Sequence, residues 1–246
     1  MSDDAPPALP ATAWATSCAV EPSTHLVKGT LRFYHYGVDN FRDHGWGCGY
    51  RSIQSILSWL KPSELPPSIP ELQGMLPGID GAQAWVGVPD AVVLLDVLHN
   101  ATTRVLPLAS GADLEKHLPT VAAHFDNGGG PLMIGGGGDV YSKTVIGVRV
   151  GGSGASSSLL ILDPHYSGPT AGGPKASIEE LHAAGWVAWK PLSCLSARSF
   201  YNIALPRALD PNAAAAATAC VREVAGRGGV AEEQSWDFEI VEEGEG

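Results

Sequence analysis

Cysteine is scarce. The 246-residue chain holds four, Cys18, Cys48, Cys194 and Cys220, and no CxxC pair or Cys/His zinc spacing joins them, which excludes a zinc-ribbon organisation. The eight histidines show no HExxH or other metal-ligand spacing. Cations are few: 15 Lys and Arg stand against 26 Asp and Glu, a formal net charge of -11. Such a chain is a poor general binder of nucleic acid or of anionic membrane. No apolar run approaches the roughly 18 to 20 residues of a membrane span. The opening Met1-Ser2-Asp3-Asp4 lacks the apolar core of a signal peptide. The expectation is a reducing compartment, cytoplasmic or nuclear, where a thiol stays free. Internal repeats are absent. The glycine clusters Gly128–Gly130 and Gly135–Gly138 are not followed by Gly-Lys-Ser/Thr, which excludes a P-loop.

What is present points to one folded domain. Apolar residues make up 44% of the chain, enough for a sizeable core. Residues 1–24 carry Pro6, Pro7, Pro10 and Pro22 and no sustained period, and read as a flexible leader. A domain over 25–208 follows. Residues 209–226 read as a short alanine-rich helix, and residues 227–246 as an acidic mobile tail. From Glu232 onward there are seven acids and no Lys or Arg, so much of the negative charge belongs to that tail.

Periodicity gives the elements. Leu31–Tyr36 reads as extended. Ile53, Ile56, Leu57 and Leu60 fall at helical spacing, placing a helix over Cys48–Leu60, stopped by Pro62, Pro66 and Pro67. Ser68 and Glu71 form a capping-box pattern for a second helix. Ala91–Leu98 is a third, and Gly111–Phe125 a fourth, capped by Ser110 and kinked or split at Pro119. Strands are expected at Pro131–Ile134, Thr144–Val150, Ser158–Asp163, Trp186–Lys190 and Phe200–Leu205, with Ser158–Asp163 buried on both faces. Ser177 opens a short helix ending at Gly185. Helices first and a mostly antiparallel sheet afterwards define an α+β layout.

The chemistry gathers around three short segments. Gly45-Trp46-Gly47-Cys48-Gly49-Tyr50-Arg51 sets Cys48 where a glycine turn enters a helix. Exposed backbone N–H groups and the macrodipole there favour a thiolate. Taken alone, Cys48 also reads as a buried helix-start cysteine. In Asp163-Pro164-His165 the first and third side chains share one face of a strand, so the carboxylate can orient the imidazole. Alone, this pair also reads as structural. Tyr36 could donate to an oxyanion near Cys48; from spacing it reads equally as a core or surface tyrosine. His35 and His44 lie close to the nucleophile in sequence. Trp46, Trp85, Trp186 and Trp189 read as core, with Trp46 and Trp85 alternatively walling a narrow substrate channel beside Gly47.

These segments carry a resemblance. Phe33-Tyr34-His35-Tyr36-Gly37, Gly45 through Gln54, and Asp163-Pro164-His165-Tyr166 are similar to the proteases specific for the ubiquitin-fold modifier UFM, most of all to their shorter type 1 members. Pro131–Gly136, Ala183–Trp189 and Ser199–Asn202 extend the similarity over about Val27 to Pro206. The resemblance implies a papain-like fold, a triad of Cys48, His165 and Asp163, and Tyr36 serving the oxyanion hole. It implies cleavage after the modifier's terminal glycine, both in the precursor and on target lysines, with no metal or organic cofactor. The segments at Ala84–Val88 and Gly137–Val140 depart modestly from the family pattern. The autophagins, which process autophagy modifiers, share Gly-Trp-Gly-Cys and Asp-Pro-His segments. Phe238-Glu239-Ile240-Val241 is similar to the aromatic-x-x-aliphatic motif that binds those modifiers by strand addition, through Phe238 and Val241. Gly49-Tyr50-Arg51 and Tyr34-His35-Tyr36 favour the UFM-specific family. A non-catalytic modifier-binding module is the remaining alternative. The chain order Cys, Asp, His argues against a transglutaminase.

Overall fold

A computed structural model describes residues 5–15, 23–79, 81, 83–138, 141–152, 156–168 and 176–209. Apart from Leu209, the described residues belong to one compact unit, residues 1–208. The helix read over 209–226, the acidic tail and its Phe238 and Val241 lie outside the described residues, as do Cys18 and Cys220.

This unit is built on an antiparallel sheet. Its strands run β4 (Thr102–Leu108), β9 (Tyr201–Arg207), β5 (Leu132–Gly136), β6 (Lys143–Arg149), β7 (Ser158–Leu162) and β8 (Val187–Pro191) across the sheet. A short β2 (Thr24–Leu26) continues the β5 edge of β6, pairing Thr24 with Arg149 and Leu26 with Gly147. β1 (Ala8–Pro10) pairs with β3 (Thr30–Arg32) in a separate ribbon. The alternation of side chains along a strand divides the core. Leu132, Ile134, Ile203 and Leu205 join a cluster with Leu118, Val121 and Phe125 of α5 (Leu114–Asp126). Met133 and Ala204 face the other way, toward Ile53, Ile56, Leu94 and Leu95. The latter residues come from α2 (Cys48–Leu60) and α4 (Val88–His99), with α3 (Ile69–Gly74) beside them. Helices therefore cover both faces of the sheet.

α2 occupies the span expected from its apolar spacing, yet its burial is not one-sided. Every residue from Cys48 to Ser58 is buried. Three of its polar residues, Gln54, Ser55 and Ser58, bond to neighbouring backbone. Ser58 Oγ accepts from the Arg32 N–H at 2.8 Å and Ser55 Oγ from the Tyr34 N–H at 3.0 Å. Gln54 donates to the Pro67 carbonyl at 2.8 Å. These bonds stitch the chain leading to Tyr36 onto the helix. Ser68 and Glu71 form the expected capping box of α3, and Ser177 and Glu180 form another at α6 (Ile178–Ala183), followed by Gly185 at φ +76°.

Several expectations need correction. Part of the leader is ordered into β1 and α1 (Ala11–Trp14), and Trp14 is only 2% exposed, edge-on to Phe33. Leu31–Tyr36 is strand only as far as Arg32. The helix at Pro119 is neither split nor interrupted; a 3₁₀ turn at Gly111–Asp113 leads into a continuous α5. β4 was not anticipated: Arg104 and Pro107 break its pattern, and Pro107 is accommodated because β4 is the sheet's edge.

The buried Trp14 gives a test of the leader. Trp14→Ala should destabilise the protein by about 3–5 kcal/mol, read as a lower urea midpoint at unchanged m-value; an unchanged midpoint rules out a packing role for this segment.

Candidate active site

The segment between Tyr36 and Cys48 is shaped by one carboxylate. Asp43 is fully buried. Its Oδ1 accepts from the Gly37 N–H at 2.8 Å, and its carbonyl accepts from the N–H groups of Trp46 and Gly47 at 3.2 and 2.8 Å. Its Oδ2 takes the Arg51 Nε–H at 2.7 Å. The other arms of Arg51 fork onto Asp39 at 2.7 and 2.8 Å and onto Gln54 at 3.0 Å. A side chain at Gly47 would put its Cβ 2.5 Å from the Asp43 carboxylate; one at Gly49 would sit 2.4 Å from the Val86 carbonyl. The glycines beside Cys48 thus admit the protein's own atoms, and Gly47, expected to face substrate, packs on Asp43.

Cys48 opens α2 at its first position and is 3% exposed. His165 lies in the turn after β7 rather than on the strand. The Asp163 carboxylate, at the strand's end, accepts from the His165 backbone N–H at 3.1 Å and from the ring Nδ1 at 2.6 Å. The same face is reached by a turn closed by the Asp side chain, not by strand alternation. Two tyrosines hold the imidazole edgewise: Tyr36 with centroids 5.3 Å apart and Tyr141 at 4.7 Å. The Tyr36 N–H donates to the Pro164 carbonyl at 3.0 Å, tying the helical side of the site to the sheet. His165 Nε2 is buried, with no fully formed hydrogen bond among the described residues.

The electrostatics favour a charge-separated resting state. Burial alone pushes the Cys48 thiol up, but His165, the Ser142 backbone N–H and the Tyr36 hydroxyl together bring it below its ordinary value. Burial also works against a charged His165, yet Asp163 and the sulfur outweigh it and raise the imidazole to about 9. Asp163 is held low despite burial by its bond to His165. The Tyr36 phenol is pushed well up by burial and by the nearby sulfur charge, so it remains a donor. A thiolate, an imidazolium and a fixed O–H donor on one point form an apparatus for attack on a carbonyl and stabilisation of the resulting oxyanion.

Two cavities adjoin neighbours of the thiol, one at Ser142 and the other at Gly37 and His44 beside Tyr36. One, about 250 Å³, is lined by Trp85, Gly87, Gly135, Gly136, Gly137, Ser142 and Phe200 among others; Trp85 and Phe200 are roughly half exposed at its rim. The other, about 580 Å³, is lined by Gly37, Phe41, Arg42, His44, Trp46 and Ser167 among others. Trp85 is therefore not core. Trp46 is: it is 6% exposed and packs edge-on against Phe41 and Tyr50. The two tryptophans border different cavities rather than one channel. His35 lies beside Phe33 and Tyr166, with Nδ1 3.0 Å from the Tyr36 carbonyl; burial lowers it to about 4, so it stays neutral. His44 packs against the Tyr36 ring. Asp39, Asp43, Ser142 and Tyr141 were not singled out from sequence. A charged Arg51 three positions into a buried helix was the available signal for the first two.

A helix-borne thiol facing a sheet-borne His–Asp pair across a helix–sheet seam defines a papain-like cysteine peptidase. The comparisons narrow the class. Residues 22–204 match the family model described as peptidase family C78. The mouse Ufm1-specific protease 1 is 39% identical over 193 residues, spanning 75% of this chain and 86% of the mouse protein. The chicken Ufm1-specific protease 2 is 35% identical, over 74% of this chain and 40% of its own. The crystal structure of UfSP from C. elegans superposes with a TM-score of 0.72 at 31% identity, over 85% of this chain and 38% of that one. The chain belongs to peptidase family C78.

Two outcomes follow from the charges. Arg51→Met, which leaves Asp43 buried and unpaired, should cost about 3–5 kcal/mol in a denaturant titration; the Asp43→Asn/Arg51→Met double variant should recover part of it. Limiting iodoacetamide at pH 7 should label Cys48 ahead of the exposed Cys194, with an inflection below the roughly 8.5 of an ordinary thiol. His165→Ala should move that inflection upward. Equal labelling of the two cysteines, followed by peptide mass spectrometry, would count against an activated sulfur.

Proposed function

We propose that this peptidase cleaves after the C-terminal glycine of the ubiquitin-fold modifier UFM, maturing its precursor and releasing it from target lysines. The observation that carries the reading is the convergence of Cys48, His165, Asp163 and Tyr36 in a chain whose relatives are named Ufm1-specific proteases. In the mechanism, the Cys48 thiolate attacks the glycine carbonyl carbon. The oxyanion that forms accepts from the Tyr36 hydroxyl and from backbone N–H at the start of α2. His165 delivers its proton to the leaving amine as the C–N bond breaks. It then takes a proton from water, which attacks the thioester and frees the glycine carboxylate. Asp163 holds the ring so that Nε2 faces the sulfur.

The narrower cavity fits a glycine-ended acyl segment. Glycines at 87, 135, 136 and 137 line it, and Trp85 and Phe200 crowd its rim, so an extended backbone without side chains is what it accommodates. No helix among the described residues is long and apolar enough to cross a membrane.

Incubation with UFM precursor tests the reading. Cys48→Ser should abolish processing, and Tyr36→Phe should lower kcat by about 10²–10³. The wild-type pH profile of kcat/KM should be bell-shaped: activity falls on the acid side as the depressed thiol protonates, and on the alkaline side as His165 loses its proton near about 9. Equal processing by Cys48→Ser removes the sulfur from the mechanism.

A further inference from the structure

We propose that Arg42 binds the free C-terminal carboxylate of the peptide released on precursor cleavage, so that the enzyme distinguishes precursor from lysine-linked conjugate. This rests on the maturation reading above and concerns the opposite side of the same scissile bond. The acyl side of the substrate ends in glycine and suits the 250 Å³ glycine-lined groove beside Ser142. The leaving side is then left to the 580 Å³ cavity bounded by Gly37 and His44 next to Tyr36 and by Ser167 two residues after His165. That cavity is the wider of the two, as a segment with side chains requires.

Its chemistry is cationic. Arg42 lines it and is exposed, and no ion-pair or hydrogen-bond partner for its guanidinium is found among the described residues. The adjacent carboxylates are committed elsewhere: Asp39 and Asp43 both hold Arg51. No Asp or Glu lines the cavity among the described residues; its other polar members are Asn40, His44, Gln83 and Ser167, none of them an anion. An extended leaving segment advances about 3.3–3.6 Å per residue from the scissile nitrogen, so a short one can run along such a space and present its terminal carboxylate to a guanidinium. A guanidinium matches a carboxylate with two parallel N–H donors. Cleavage of a lysine conjugate releases an amine on an alkyl chain, with no carboxylate at that position. The chemical step is unchanged: the C–N bond breaks, the amine takes the His165 proton, and only the far end of the leaving segment differs.

The experiment compares UFM precursor ending in a free acid with the same precursor ending in a carboxamide. Wild-type enzyme should show a KM about 3–10-fold lower for the acid form, between the values of an exposed and a charge-assisted pair, with kcat alike. Arg42→Gln should raise KM for the acid form to that of the amide and leave the amide form unchanged. Arg42→Lys should retain part of the preference, and added salt should erode it. Equal KM for the two forms with wild-type enzyme overturns the role of Arg42 while leaving maturation intact, as does an Arg42→Gln effect of equal size on both. Cleavage of neither form removes the substrate itself and both readings with it.

Discussion

Arg51 is a guanidinium with no solvent exposure in the first turn of the nucleophile helix, a position tolerable only when its donors are met by charge and hydrogen bond together. Asp43, Asp39 and Gln54 meet them. Because Asp43 is also the acceptor for the N–H groups of Gly37, Trp46 and Gly47, the same network fixes the loop that carries Tyr36 at one end and Cys48 at the other. Loss of the Arg51 charge leaves Asp43 buried without its cation, so the loop has no inexpensive alternative geometry. The burial that makes the network costly is what makes it specific: Asp39 is held low and Arg51 high by each other against the desolvation both suffer.

That rigidity matters because the site is assembled from two halves. α2 and its preceding loop bring the sulfur and the phenol; the end of β7 brings the imidazole and its carboxylate. The halves meet through the Tyr36 N–H on the Pro164 carbonyl and through the Tyr36 ring on His165. Tyr36 is thus both a bridge and a donor. A hydroxyl aimed at the sulfur from a side chain locked at its backbone and its ring has little orientational freedom to lose when an oxyanion forms, which is the condition for a large electrostatic contribution.

The nucleophile helix was legible because its apolar spacing, its glycine entry and its proline stop agree. The capping boxes at Ser68 and Ser177 were legible for the same reason: local hydrogen bonds need only local residues. Asp163 and His165 were paired correctly for a partly mistaken reason, since two residues separated by one can meet across a turn as well as along a strand. What sequence did not disclose depends on partners far along the chain. β4 forms because β9 offers an edge, despite Pro107. Trp14 is buried because β1 finds β3 about twenty residues on. The Asp39–Arg51–Asp43 network joins a loop to a helix, and nothing in either segment's periodicity reports it. Trp85 reads from sequence both as core and as a channel wall, since hydrophobicity alone does not separate a packed ring from one at the rim of a groove.

The resting charge state follows from the same division. A buried thiol is ordinarily protonated, and a buried imidazole ordinarily neutral. Here each favours the charged form of the other, and Asp163 biases the pair toward transfer of the proton onto the ring. Cys48 therefore draws its reactivity from the sheet rather than from its own helix alone: the helix N-terminus is present in any chain with this local sequence, whereas the imidazolium is present only when β7 ends against Tyr36. An isolated helical half would hold a correctly placed but largely protonated sulfur. The seam between α2 and the sheet, closed by Ile53 and Ile56 against Met133 and Ala204, is on this argument as much a part of the nucleophile as the sulfur itself.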